Sequence, residues 1–170
     1  LELYLVEHLG VPWDRVHVFW GDDRYVPADH PDSNYRMARE LLLDHVPCPA
    51  ANIHAMPTHL PQPADAAAVY EHTLRAFFGG GDGPAFDLNI LGIGEDAHTA
   101  SVFPGSPAVD ARERWVMEVR TSAAIAKRLT VTLPALSRSI HIHVLVAGAA
   151  KAAALRLALA DSDPRRYPAS

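Results

Sequence analysis

The sequence predicts an α/β domain with a mainly parallel sheet. Strand-like, β-branched runs alternate with helical ones along the chain, and three of the strand-like runs end at a glycine followed by a polar loop. The composition is that of a folded globule, 49% hydrophobic and 21% charged. At 170 residues the whole chain, 1–170, suits a single domain, and no linker or internal repeat divides it.

Leu1 to Gly10 reads as the back half of an amphipathic helix closed by a glycine. Val16 to Trp20 is a strand ending at Gly21, followed by a polar loop from Asp22 to Pro31. Ser33 or Asp32 caps a helix over Tyr35 to His45, in which Met37, Leu41 and Leu42 recur at helical spacing; Pro47 and Pro49 stop it. Ile53 to Met56 is a short strand candidate. Ala64 to Phe78 is helical, and Gly79-Gly80-Gly81 reads as a surface turn, since no strand precedes it to make a phosphate loop. Strands are expected over Phe86–Leu91, Trp115–Thr121, Arg128–Leu133 and Ile140–Ala147. An Ala-rich helix follows over Ala149–Ala160. The chain opens without an initiator Met or a helix cap and ends just after a helix, so truncation at both ends is expected.

Charge and composition exclude several classes. Fifteen Lys plus Arg stand against 20 Asp plus Glu, a formal charge of −5, so no nucleic-acid partner is expected. No apolar run approaches the roughly 20 residues of a membrane span, and no targeting segment opens the chain, so no membrane partner is expected. The single cysteine, Cys48, reads as a small buried hydrophobe and fits a reducing, cytoplasmic compartment.

Ligands of open α/β sheets gather beyond the carboxyl ends of strands. Three polar loops sit at such ends: Gly21 to Arg24, Gly92 to Thr99, and Gly148 to Lys151. His98 follows Asp96 on the second of these. A carboxylate beside an imidazole can fix its tautomer and raise its basicity, as a general base requires; the alternative is a surface or packed histidine. Arg24 reads either as a clamp for phosphate or carboxylate or as an exposed partner of Asp22 and Asp23. Arg128 and Lys151 lie near other strand ends, and three converging cations favour a small anionic substrate.

Gly92-x-Gly94-x-x-Ala97 matches a loose dinucleotide fingerprint, but Phe103 to Pro107 breaks the chain where a helix should open, so no nucleotide cofactor is expected. His141 and His143 share one strand face without a third ligand, so no metal is expected. Ser101 and Ser106 lack a nucleophile-elbow pattern.

Gly21-Asp22-Asp23-Arg24-Tyr25-Val26-Pro27, Asp32-Ser33-Asn34-Tyr35, Gly92 to Pro104, Arg128 to Pro134 and Gly148-Ala149-Ala150-Lys151 occur in that order. Together they resemble the 6-phosphogluconolactonase family over nearly the whole chain. The resemblance implies a modified Rossmann-like three-layer α/β/α fold, shared with glucosamine-6-phosphate deaminases. It implies hydrolysis of 6-phospho-D-glucono-1,5-lactone in the oxidative pentose phosphate pathway, with no metal or organic cofactor. His98 would be the base that activates water, supported by Asp96. Arg24, Arg128 and Lys151 would hold the phosphate and polarised oxygens, Asp22 would orient Arg24, and Gly94 and Thr99 would complete the binding loop.

Two departures stand out. Ala97 occupies the glycine of the family's Asp-Gly-His, at a cost on the order of 1 kcal/mol if its φ is positive. Asp23 replaces the usual Glu of Asp-Glu-Arg. The family's N-terminal phosphate loop would lie before Leu1, and its last strand and helix after Ser170. Two other readings remain: a glucosamine-6-phosphate deaminase or isomerase, and a non-catalytic sugar-phosphate-binding domain. The sequence leaves the oligomeric state open.

Overall fold

A computed structural model describes residues 10–81, 83–122 and 125–170. The helix expected over Leu1–Leu9 lies outside the described residues. Strand β1, Val18–Phe19, pairs in parallel with β3, Ile53–His54, across a connection that contains helix α1, Asn34–Leu41. A second parallel pair joins β4, Leu88–Gly92, to β7, His141–Leu145. A separate antiparallel sheet has the order β2 (Asp22–Arg24), β6 (Lys127–Val131), β5 (Val116–Arg120). The α/β class is as expected, with parallel crossovers. The Asp22-Asp23-Arg24 segment differs: the sequence reads as a loop, yet it is a strand. The β6 edge offers its backbone partners, and pairing there satisfies groups that a loop would leave to water.

Local chemistry explains the helices. Ser33 caps α1 by accepting the Arg36 N–H at 3.2 Å, as expected. The helix ends at Leu41, and Leu43–His45 is a tight 3-10 turn. Met37 and Leu41 face outward at 52% and 60% exposure. Tyr35 and Ala38 instead turn toward the core, because the cap anchors the first turn and sets the rotation of the helix. Helix α2, Pro63–Phe78, starts on a proline and ends at Gly79, whose φ of 77° suits its left-handed turn. Its buried Ala66, Ala67, Tyr70 and Leu74 keep helical spacing and belong to one core with Trp115 and with Val116, Leu129 and Val131 of the antiparallel sheet.

Buried Glu71 ties α2 to β5. It accepts hydrogen bonds from Arg75 and Arg114 and from the backbone N–H groups of Trp115 and Val116. Burial pushes its carboxyl up, but these donors outweigh it and hold the group below the usual range. Leu133–Leu136 forms a short helix, α3, with Pro134 in its first turn, so the strand expected over Arg128–Leu133 stops at Val131. Helix α4, Ala152–Ala160, follows a 3-10 turn over Ala149–Lys151 and packs Ala154 and Ala158 on Ile93 and Ala97. No helix among the described residues is long and apolar enough to cross a membrane.

Candidate active site

Side chains two apart on a strand share a face. Asp22 and Arg24 therefore share one face of β2, and Asp23 points to the other. In the antiparallel register Asp22 stands opposite Thr130 and Arg24 opposite Arg128, so one face of two strands carries a carboxylate, a hydroxyl and two guanidinium groups.

Asp23, on the far face and 2% exposed, accepts the N–H groups of Asn34 at 2.7 Å and Tyr35 at 3.0 Å. It thus anchors the start of α1. That anchoring places Asn34 and Asp32 where Arg24 Nη1 donates to both, at 2.8 Å to Asn34 Oδ1 and 3.0 Å to the Asp32 carbonyl. The Nε atoms of Arg24 and Arg128 are buried and have no hydrogen-bond partner. Burial, and then the Arg24 charge, push the Arg128 pKa down, with Asp22 opposing. Two half-buried cations, each with a spare buried donor, form a site for an anion.

The loop after β4 closes over this face. Ser101, fully buried, donates its hydroxyl to Asp22 Oδ2 at 2.6 Å, and its N–H donates to Thr130 Oγ1 at 3.2 Å. Burial raises the Asp22 pKa, against the Ser101 hydrogen bond and the charges of Arg24, Arg128 and His98. His98, partly exposed on the same loop, has Nδ1 2.5 Å from Asp96 Oδ1, and its N–H donates to the same oxygen at 3.1 Å. Burial works to raise the Asp96 pKa, but the His98 contacts hold it below the usual range. With Nδ1 engaged, Nε2 is the nitrogen left for a substrate or water.

The loop conformation is demanding. A Cβ on Gly94 would lie 2.0 Å from His98 Nδ1 and 2.7 Å from Asp96 Oδ1, so only glycine leaves room for the pair. Ala97 has φ 64° and Ala100 φ 47°. The cost foreseen for Ala at the family's glycine position is therefore incurred, and the fully buried Ala97 methyl packs on Ile93, Ala154 and Ala158. Left-handed non-glycine residues thus flank His98 on both sides, and backbone strain of this kind clusters at ligand and active sites.

Arg24, Arg128, Asp22, Asp96 and His98 thus come together. Thr99 is 3% exposed and gives its hydroxyl proton to the Gly92 carbonyl at 2.9 Å, which braces the loop. Lys151 reaches the same sheet edge by topology, since β4 and β7 are parallel neighbours. Among the described residues no hydrogen bond or ion pair joins it to the cluster. His141 and His143 are exposed on β7, and no group of three or more His, Cys, Asp or Glu among the described residues is arranged to hold a metal. Sequence reasoning missed Ser101, Asn34 and the anchoring role of Asp23. The alternation in Asp22-Asp23-Arg24 was the available signal for Asp23. Nothing local marks Ser101, whose partner is 79 positions away.

The family model described as glucosamine-6-phosphate isomerases/6-phosphogluconolactonase matches residues 3–170. A 6-phosphogluconolactonase of Synechocystis sp. is 48% identical over 163 residues, covering 94% of this chain and 67% of the relative. One from Nostoc sp. is 55% identical over 108 residues, 62% of this chain and 45% of the relative. The crystal structure of a 6-phosphogluconolactonase from Thermotoga maritima superposes with a TM-score of 0.83 at 32% identity, over 99% of this chain and 72% of that one. The chain thus spans about two thirds of the Synechocystis relative's length and less than half of the Nostoc relative's.

Proposed function

This chain belongs to the glucosamine-6-phosphate isomerase/6-phosphogluconolactonase family, and from that premise we propose that its site hydrolyses 6-phospho-D-glucono-1,5-lactone to 6-phosphogluconate. The observation that carries the reading is the pair of opposed arginines with unpartnered buried Nε atoms beside the His98–Asp96 pair.

His98 Nε2 takes a proton from water as the water oxygen bonds to the lactone carbonyl carbon. Arg24 and Arg128 stabilise the oxyanion that forms. Collapse of the tetrahedral intermediate breaks the bond to the ring oxygen, which recovers the proton from the imidazolium. The products are a free hydroxyl and a carboxylic acid, which ionises. Asp96 holds the ring and stabilises its charged form, Asp22 orients the arginine pair, and Gly94 and Thr99 keep the loop in shape. Lys151 reaches the phosphate from the β7 end.

Retention of the His98–Asp96 pair favours catalysis over a sugar-phosphate-binding role, and the identity to proteins named as lactonases favours hydrolysis over deamination. The single thiol fits a cytoplasmic setting. The test is hydrolysis of freshly generated lactone by this chain. A rate above the spontaneous one supports the reading, and conversion of glucosamine 6-phosphate in its place would overturn it.

A further inference from the structure

We propose that Phe103 is a positioning residue of this site: its ring sets where the His98 imidazole stands relative to the Arg128 guanidinium. The kinetic consequence rests on the lactonase reading; the geometry does not. The Phe103 ring centroid lies 4.5 Å from that of His98, with the planes 38° apart. The guanidinium carbon of Arg128 lies 5.8 Å from the centroid of the same ring, within cation–π range. One aromatic ring therefore touches both the base and one of the two cations.

His98 needs such a support. Beyond its covalent tether at Cγ, the imidazole is held by a hydrogen bond at one ring atom, Nδ1, and its tilt is left to packing on the ring. Gly94 lies close to the Nδ1–Cε1 edge of the ring but carries no side chain to pack on it. Phe103 supplies the missing surface, and its own position is fixed from both sides. Val102 before it is fully buried in the core, Pro104 after it restricts its backbone to extended conformations, and the Ser106 N–H holds its carbonyl at 2.9 Å.

Phe103 also borders a surface groove of about 370 Å³, shared with Pro107, Met117 and Val119. None of Arg24, Arg128 and His98 lines that groove, so the ring is the partition between it and the cationic face. A smaller side chain would leave Asp96 and Arg24 in place while removing the ring on which the imidazole and the Arg128 guanidinium both rest. Displacing a catalytic group by an ångström can lower turnover about a hundredfold.

The test compares Phe103→Leu and Phe103→Tyr with the parent chain in three measurements. These are the His98 ring-proton resonances, assigned with His98→Gln, the kinetics of lactone hydrolysis, and thermal unfolding. The proposal expects Phe103→Leu to move the His98 resonances downfield, as the ring current is lost, and to lower kcat about tenfold or more with a smaller change in KM. Phe103→Tyr keeps the aromatic face and restores both. A Phe103→Leu protein whose His98 resonances and kcat match the parent, whatever its melting temperature, would overturn the proposal. If the parent chain hydrolyses no lactone, the lactonase reading fails separately. The His98 resonances and titration with inorganic phosphate then decide: a shifted resonance with weaker phosphate binding in Phe103→Leu supports the role, and no change in either overturns it.

Discussion

Arg24 and Arg128 stand directly opposite each other across the β2–β6 ladder, and each keeps a buried Nε without a hydrogen-bond partner. Like charges opposite one another on a sheet are destabilising, and an unsatisfied buried donor adds to the cost. An arrangement that weakens the free protein in two ways gains from an anion that relieves both.

Arg128→Met should therefore leave the melting temperature unchanged or raise it, by about 1 kcal/mol of stability at most. The same change should weaken binding of 6-phosphogluconate about tenfold or more. Thermal unfolding with and without ligand measures both. A less stable protein with undiminished affinity would show that Arg128 has only a structural role.

Gly94→Ala should leave the fold intact and lower turnover by about a hundredfold, because the new Cβ would fall 2.0 Å from His98 Nδ1. Circular dichroism checks the fold, and lactone hydrolysis reads the site. Full activity in this variant would mean that the loop relaxes at little cost.

Ala97→Gly should keep or raise activity. Relief of the left-handed φ of 64° is on the order of 1 kcal/mol. Losing the buried methyl and loosening the unfolded chain cost about as much, so the net stability change should be small. A marked loss of activity would show that the methyl, rather than the backbone conformation, places His98.

Glu71→Gln should lower stability at neutral pH by about 2 kcal/mol or more, since two arginines and two backbone N–H groups lose their carboxylate. The folded pKa lies below the ordinary 4.5. The stabilisation by ionised Glu71 is therefore present above that value and is lost as pH falls through the folded pKa. Melting curves from pH 7 to pH 3 should show the parent and the variant converging at the acid end.

Local patterns made much of this legible. The glycine at the end of α2 and the Ser33 cap are signals confined to a few residues; α2 forms where expected, and α1 begins there but ends at Leu41, short of the expected His45. The polar loops after β-branched runs located Asp22, Arg24, Asp96 and His98. What escaped depends on distant partners. The Asp22–Arg24 segment is a strand because the edge of β6, over a hundred residues on, is there to pair with it. Ser101 matters through Asp22, and Phe103 through His98 and Arg128. The outward face of α1, with Met37 and Leu41 exposed, follows from a cap that fixes the rotation of the helix, which helical spacing alone does not reveal.

The central claim is that His98 activates water for lactone hydrolysis, and the most direct measurement compares the parent chain with His98→Ala on freshly generated 6-phosphogluconolactone. The prediction is a rate above the spontaneous one that falls at least about a hundredfold in the variant, with affinity for 6-phosphogluconate changed by no more than a few-fold. An undiminished rate in His98→Ala would contradict the assignment.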